Sequence, residues 1–348
     1  LTRSPVSLSL IRDDLLKFAN YSSAPDDPHL TEAIADASNA FRLPEPVKMV
    51  HLNDVFNLDL PIWSSSPGLP WTTYGYKTKG QVRDSLRAQN SIRYFWHQVK
   101  YGRNVRTPDC CAFARSHLVK EGETKVRAVW GYPMTMLMGE AVFATPLIDA
   151  YREHATPMAY GYDTATGGVR KLLNDVQGTH YAALDFKSFD KLTPGWLIRK
   201  AFDILALNID FLNYREYGVA EASRMTVMYR KIVNYFVHTF VRLCSGERYL
   251  KTVGIASGSY FTQLIGSICN YILLSWMCRK QQVGARIKVF GDDSIMALDG
   301  ELDLVAGQRL MRSIGMELNM EKSRQSQDIN SLTFLGFQLN FGRPIRDR

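Results

Sequence analysis

Paired cysteine spacing is absent from this chain, and that absence closes off several functions. Its five cysteines, Cys110, Cys111, Cys244, Cys269 and Cys278, are odd in number and form no metal-ligand pattern. Adjacent Cys110 and Cys111 cannot readily serve one tetrahedral zinc together, so reduced, mostly buried thiols are expected. No secretory signal, internal repeat or low-complexity tract is found, and a soluble intracellular site is expected. A wholly apolar span is also missing. The longest apolar stretch, residues 254–278, carries Ser259, Gln263, Ser267 and Asn270 at intervals of four, four and three. That spacing places them on one helix face, which suits a buried helix better than one facing lipid. The stripe either looks into a polar cavity or is satisfied internally. Acidic residues are the minority charge, 34 against 42 Lys and Arg, and the net +8 favours an acidic partner such as nucleic acid. A hydrophobic fraction of 46% argues against disorder, and 348 residues exceed one ordinary domain.

Against that background one segment stands out: IKVFGDDSIMAL at 287–298. Ile287 to Phe290 and Ser294 to Leu298 read as two strands, with Gly291 permitting the tight turn between them. Asp292 and Asp293 would sit side by side at the tip. Two adjacent acids stay ionised together only with solvent or a cation between them. Oxygen-only ligands favour a hard ion, magnesium or manganese, over zinc. The tripeptide alone is weak, since chance yields it in about one chain of this length in twenty.

A second acidic segment raises the odds. YAALDFKSFD at 181–190 runs from an apolar strand into Asp185, then reaches Asp190 in the connection before a helix that starts near Pro194. Taken alone, an Asp pair at this spacing more often caps a helix or stays solvated. Joined to the hairpin, it supplies carboxylates from two strands, as a two-metal phosphoryl transfer site with ions about 3.5–4 Å apart requires. In TKVRAVW, Lys125 and Arg127 are two apart and share one face of a strand, with Lys120 one short loop earlier. Three such cations suit an incoming triphosphate. The basic residues from Lys77 to Arg115 read as a candidate wall for a template or product channel.

The ordered set LDFKSFD, SGSYFTQLIGSICN, FGDDS and FLGF at 334–337, with KEGETKVRAVWGYP at 120–133 and SSPGLPW at 65–71, resembles a viral RNA-dependent RNA polymerase. It is most similar to the partitivirus-like group of double-stranded RNA viruses. The resemblance covers residues from about 64 to 340 and implies an α+β right-hand polymerase, its antiparallel palm sheet backed by helices and wrapped by fingers. It implies Asp185 and Asp292 as principal ligands of two magnesium ions, manganese being the alternative, with Asp293 in support. It places Asp190 and Asn270 near the ribose 2′-hydroxyl, Ser257, Gly258 and Thr262 close by, and Lys120, Lys125 and Arg127 on the nucleotide. Ser66, Pro67 and Gly68 would touch the template where it enters. Lys322 occupies the region of a lysine that donates a proton to pyrophosphate.

Partners implied are RNA template and product, ribonucleoside triphosphates and a viral capsid protein, with no membrane, in the host cytoplasm within the viral particle. The motif order assigns 1–177 to fingers and N-terminal bridging segments, 178–202 to palm, 203–250 to a return to the fingers and 251–348 to palm. The β-rich look of VNYFVHTFVRL falls in the third of these. Ala256 stands where relatives often have Pro, which predicts a looser loop before Ser257. The chain begins with Leu and stops eleven residues after Phe337, so a fragment with its helical thumb largely absent is expected. The rival functions are a reverse transcriptase, disfavoured by Phe290-Gly291 before the acids and by Asn270, and a non-catalytic RNA-binding viral protein, which leaves the acidic tip unexplained.

Overall fold

The computed structural model describes residues 2–19, 21–116, 118–124, 126–162 and 167–346. Contacts divide it into two compact units, the first made of 1–20, 46–147 and 209–262, the second of 21–45, 148–208 and 263–348. Helix and sheet are mixed in both.

The second unit is organised around a four-stranded antiparallel sheet, in spatial order Ala285–Phe290, Asp293–Leu298, His180–Ala183, Arg324–Ser326. The first two strands form the expected hairpin, paired from Ala285 with Leu298 down to Phe290 with Asp293. The turn therefore holds only Gly291 and Asp292. Gly291 has φ +63°, and a glycine first in a two-residue turn is the type II′ arrangement that matches strand twist. His180–Ala183 is an inner strand, and Ala182 is fully buried between its neighbours. A larger side chain at 182 would have nowhere to go. Beside the sheet, Ile295, Leu172, Leu332, Phe334 and Leu339 bury one another in a common cluster. Each fully buried aliphatic contributes about 1.5–3 kcal/mol.

The helix Thr262–Lys280 is buried on nearly every side from Leu264 to Cys278. It ends with Arg279 and Lys280, charges that suit a helix C-terminus. Arg279 also fastens it to the helix Pro28–Ala40 through Asp36 and Glu32. The helix expected to start near Pro194 is observed at Gly195–Ala206, and a further helix runs over Leu304–Arg312.

The first unit carries a second sheet, in order Val126–Gly131, Cys110–Ser116, Thr239–Arg242, Arg248–Lys251. Its middle pair is parallel and the outer pairs are antiparallel. Three helices, Leu86–Lys100, Met134–Glu153 and Ala222–Val237, accompany it. The reading of VNYFVHTFVRL as β-rich is half corrected: residues 233–237 complete the third helix, and only Thr239–Arg242 is strand. Tyr235, Phe236 and Val237 are all buried, so burial rather than strand alternation explains the apolar run. All five cysteines are free. Among the described residues no helix is long and apolar enough to cross a membrane.

Candidate functional site

The polar stripe of Thr262–Lys280 explains how the acidic turn is held. Ser267 Oγ accepts the Gly291 N–H at 2.8 Å. One turn on, Asn270 Nδ2 donates to the carbonyls of Gly291 at 3.0 Å and Asp293 at 3.3 Å. Gln263 closes the third side, since a Cβ at Gly291 would stand 3.0 Å from its Nε2. Within the helix the stripe thus faces the hairpin, whereas Ser259, expected on the same face, lies before the helix start at Thr262. Ser267 and Asn270 are both fully buried. Asn270 spends its amide protons on the hairpin and keeps one buried acceptor, Oδ1, with no hydrogen-bond donor.

Asp185 follows the inner strand directly. Ser323 Oγ accepts its backbone N–H at 3.1 Å, and its carbonyl accepts from the Asn319 N–H at 2.7 Å. Ser294 Oγ donates to the Leu184 carbonyl at 3.1 Å, joining the Asp185 segment to the hairpin strand. Lys322 Nζ lies 3.9 Å from Asp185 Oδ2. Both side chains are substantially exposed, so this is a loose pair. Asp190 lies, exposed, in a short helix of its own, Phe189–Leu192, reached through Ser188 in the left-handed region at φ 51°.

The acids feel one another. Asp293 is pushed up to about 6 by lost hydration, then by repulsion from Asp292 and Asp185. Its side chain still exposes surface, so the shift reports carboxylates crowded into one neighbourhood more than a dry site. Among the described residues, no three His, Cys, Asp or Glu side chains are arranged to close on one ion. The donor set is all oxygen, its charges are mutually repelling, and it lies open to solvent. A hard divalent cation suits it.

The remaining predicted residues belong to the first unit. Ser257 Oγ accepts the Trp130 N–H at 3.2 Å. Gly258 is needed for close approach, because a Cβ there would stand 2.7 Å from the Trp130 carbonyl and 2.9 Å from Tyr132 Cβ. Thr262 Oγ1 donates to the carbonyls of Ala256 and Ser259. The Thr262 hydroxyl thus ties back to Ala256, the position where a looser loop was expected. Beneath the loop lies Glu140, fully buried, which accepts from Ser259 Oγ at 2.8 and 2.9 Å and from the Tyr260 N–H at 2.9 Å. Burial pushes its carboxyl up to about 7.

Lys120 is exposed in the turn before Val126–Gly131. Arg127 lies on that strand, whereas Lys125 falls outside the described residues. Ser66 is exposed, while Pro67 and Gly68 are buried, with the Pro67 carbonyl accepting the Met134 N–H at 2.9 Å. The proposed basic wall needs one correction. Lys79 is buried, is lowered to about 8 by that burial, and donates to Ser65 Oγ at 2.8 Å and to the Ser66 carbonyl. It props the 65–68 loop from below, its ammonium spent on that loop and not presented at the surface.

The profile of the viral RNA-dependent RNA polymerase family matches residues 24–347. The chain belongs to that family. It is 29% identical over 251 residues to the RNA-directed RNA polymerase of Cryptosporidium parvum virus 1 (strain KSU-1), covering 69% of this chain and 44% of that protein. It is 24% identical over an alignment of 434 residues to the RNA-directed RNA polymerase of White clover cryptic virus 1 (isolate Boccardo/2004), covering 99% and 70%. To that of Atkinsonella hypoxylon virus (isolate 2H) it is 26% identical over 281 residues, covering 67% and 42%. The chain thus spans less than half the length of two of these polymerase relatives.

Four anchoring contacts escaped sequence reasoning: those of Ser267, Ser294 and Ser323 in the second unit, and that of Glu140 in the first. Glu140 alone left a signal, as the single acid inside the apolar run MTMLMGEAVFATPL.

Proposed function

We propose that this chain carries out template-directed RNA synthesis, joining ribonucleotides by attack of a 3′-hydroxyl on an α-phosphate with departure of pyrophosphate. The observation that carries this reading is the gathering of Asp185 and the Gly291-Asp292-Asp293 turn on one antiparallel sheet, in a chain of the viral RNA-dependent RNA polymerase family. The second unit would be the palm with its helices, and the sheet and helices of the first would serve as fingers. Asp185 and Asp292, with Asp293 beside them, would hold magnesium or manganese, which supplies positive charge where the phosphoryl group and leaving pyrophosphate develop negative charge.

The chain's own residues do the positioning. Ser267 and Asn270 set the height of the acidic turn, and Ser323 sets that of Asp185. Lys322, exposed and near Asp185, could bring a proton to the departing pyrophosphate. Asn270, fully buried with its amide donating to the Gly291 and Asp293 carbonyls, would act on sugar choice through the turn it holds and not by touching the 2′-hydroxyl. Ser257, whose oxygen accepts from Trp130, still has a proton to donate to a nucleotide.

Primer extension on an RNA template with the purified protein and magnesium, ribonucleotides against deoxyribonucleotides, tests the reading. Ribonucleotide incorporation lost on chelation is expected. A preference for deoxyribonucleotides would make the chain a reverse transcriptase, and binding without extension would make it a non-catalytic RNA binder.

A further inference from the structure

A concave surface in the first unit, remote in sequence from the acidic turns, combines two chemistries that hold unpaired bases. It encloses about 430 Å³ and is lined by Trp71, Tyr74 and Phe95, with Arg106, Asp109 and Arg242 among its polar groups. That volume lies in the range of small-ligand sites. The rings are prepared differently. Trp71 is buried and fixed, its Nε1 donating to Thr135 Oγ1 at 3.0 Å. Tyr74 is 67% exposed and stands at 81° to Trp71, so the two rings make a corner rather than a closed stack.

The charge is one-sided. Asp109 is buried and accepts from both Arg242 and Arg248, which leaves a surplus positive charge in that group. Arg106 is exposed and has no carboxylate within ion-pair distance among the described residues. An apolar peptide would use the rings and leave the arginine idle. A free phosphate would use the arginine and leave the rings idle.

We infer that this cavity takes an unpaired nucleobase of single-stranded RNA, stacked on Tyr74 in the corner with Trp71, its backbone phosphate on Arg106. Aromatic faces and a cation are the pairing by which single strands are held, and every base offers a π-face. Both Asp109 oxygens are already occupied by arginine donors, so no free carboxylate remains to select a base amino group. The site is therefore tolerant of sequence.

This inference rests on the reading that the chain handles RNA, and the test separates the two. Fluorescence anisotropy on the whole chain compares a labelled 12-nucleotide oligouridylate with the same backbone made abasic. Wild type should bind the oligouridylate more tightly. Tyr74→Ala should weaken that binding about tenfold without changing the slope of log affinity against log salt, and should leave the abasic strand unaffected. Tyr74→Phe should retain wild-type binding. Arg106→Ala should weaken both strands and lower the salt slope by about 1. Both side chains are exposed, so neither truncation removes core. Wild-type affinity in Tyr74→Ala, or equal losses on the two strands, would overturn the inference. Primer extension intact alongside that result would leave the polymerase reading standing.

Discussion

Two turns present the residues expected to meet a nucleotide, and they are hung from opposite kinds of anchor. The 256–262 loop hangs from Glu140, a buried ionisable acid. The 290–294 turn hangs from Ser267 and Asn270, a hydroxyl and an amide. The difference follows from what each turn carries. Asp292 and Asp293 already crowd Asp185, so a third kind of acid beneath them would deepen the repulsion, and a lysine would compete with any cation. A neutral anchor avoids both. The other loop bears no carboxylate and can hang from a buried acid, an anchor that titrates near neutrality.

The largest effect should come from the charge the hairpin carries. Asp292→Ala, or Asp185→Ala, is expected to lower primer extension by on the order of a thousandfold or more, while RNA affinity measured by anisotropy stays near wild type. Extension by either variant in magnesium at more than a few per cent of wild type would remove these acids from the site.

Next comes the neutral anchor. Asn270→Ala strands two carbonyls in a buried setting, and a loss of roughly ten- to a hundredfold in kcat is expected. If kcat held and only the preference for ribonucleotides narrowed, Asn270 would be a sugar sensor first and an anchor second. Steady-state kinetics with both sugar types separate these outcomes.

The titrating anchor makes a prediction about pH. Burial raises Glu140 from 4.5 to about 7, so folding favours its protonated form. Its contribution to stability is complete below about 4.5 and is lost as pH rises through 7, a span of roughly 3 kcal/mol at most. Lys251, buried with its ammonium on the Phe236 and Val237 carbonyls, mirrors it. Burial lowers it from 10.5 to about 7, so its contribution is complete above 10.5 and is lost as pH falls through 7. Both groups are least helpful near neutrality. Glu140→Gln should therefore flatten the fall in melting temperature between pH 5 and 7; an unchanged melting profile would show that the acid does not titrate there.

The smallest effect is expected from Ser267→Ala, which removes one acceptor from the Gly291 N–H and should slow turnover about two- to tenfold. A loss as large as that of Asn270→Ala would mean the two anchors act as a unit.

Local patterns made much of this legible. Alternation on either side of Gly291 gave the hairpin, the apolar run before Asp185 gave the inner strand, and spacing put Gln263, Ser267 and Asn270 on one face, while Ser259, expected there too, lies before the helix. What the sequence hid is what those faces touch. Nothing local says that Asn270 aims its amide at residues 21 and 23 positions later, or that Ser259 sits on an acid 119 positions earlier. Lys79 misled for the same reason: a lysine among exposed basic residues reads as solvated until the 65–66 carbonyl and hydroxyl that it meets are known. Residues 233–237 misled because a buried helix end and a strand share the same composition.

The inner position of His180–Ala183 also sets a schedule for the ribosome. Its two neighbours, Asp293–Leu298 and Arg324–Ser326, are translated much later, the second ending about 140 residues downstream. At about 5–20 residues per second the first of them is complete only after roughly 6–23 s, and until then the strand has neither edge covered. Nascent chains stalled before residue 293 cannot assemble the acidic site at all, and they carry an apolar, β-forming segment that is open to foreign pairing. Slow codons placed between the two acidic segments would lengthen that exposure, so the yield of folded protein should respond to synonymous changes there.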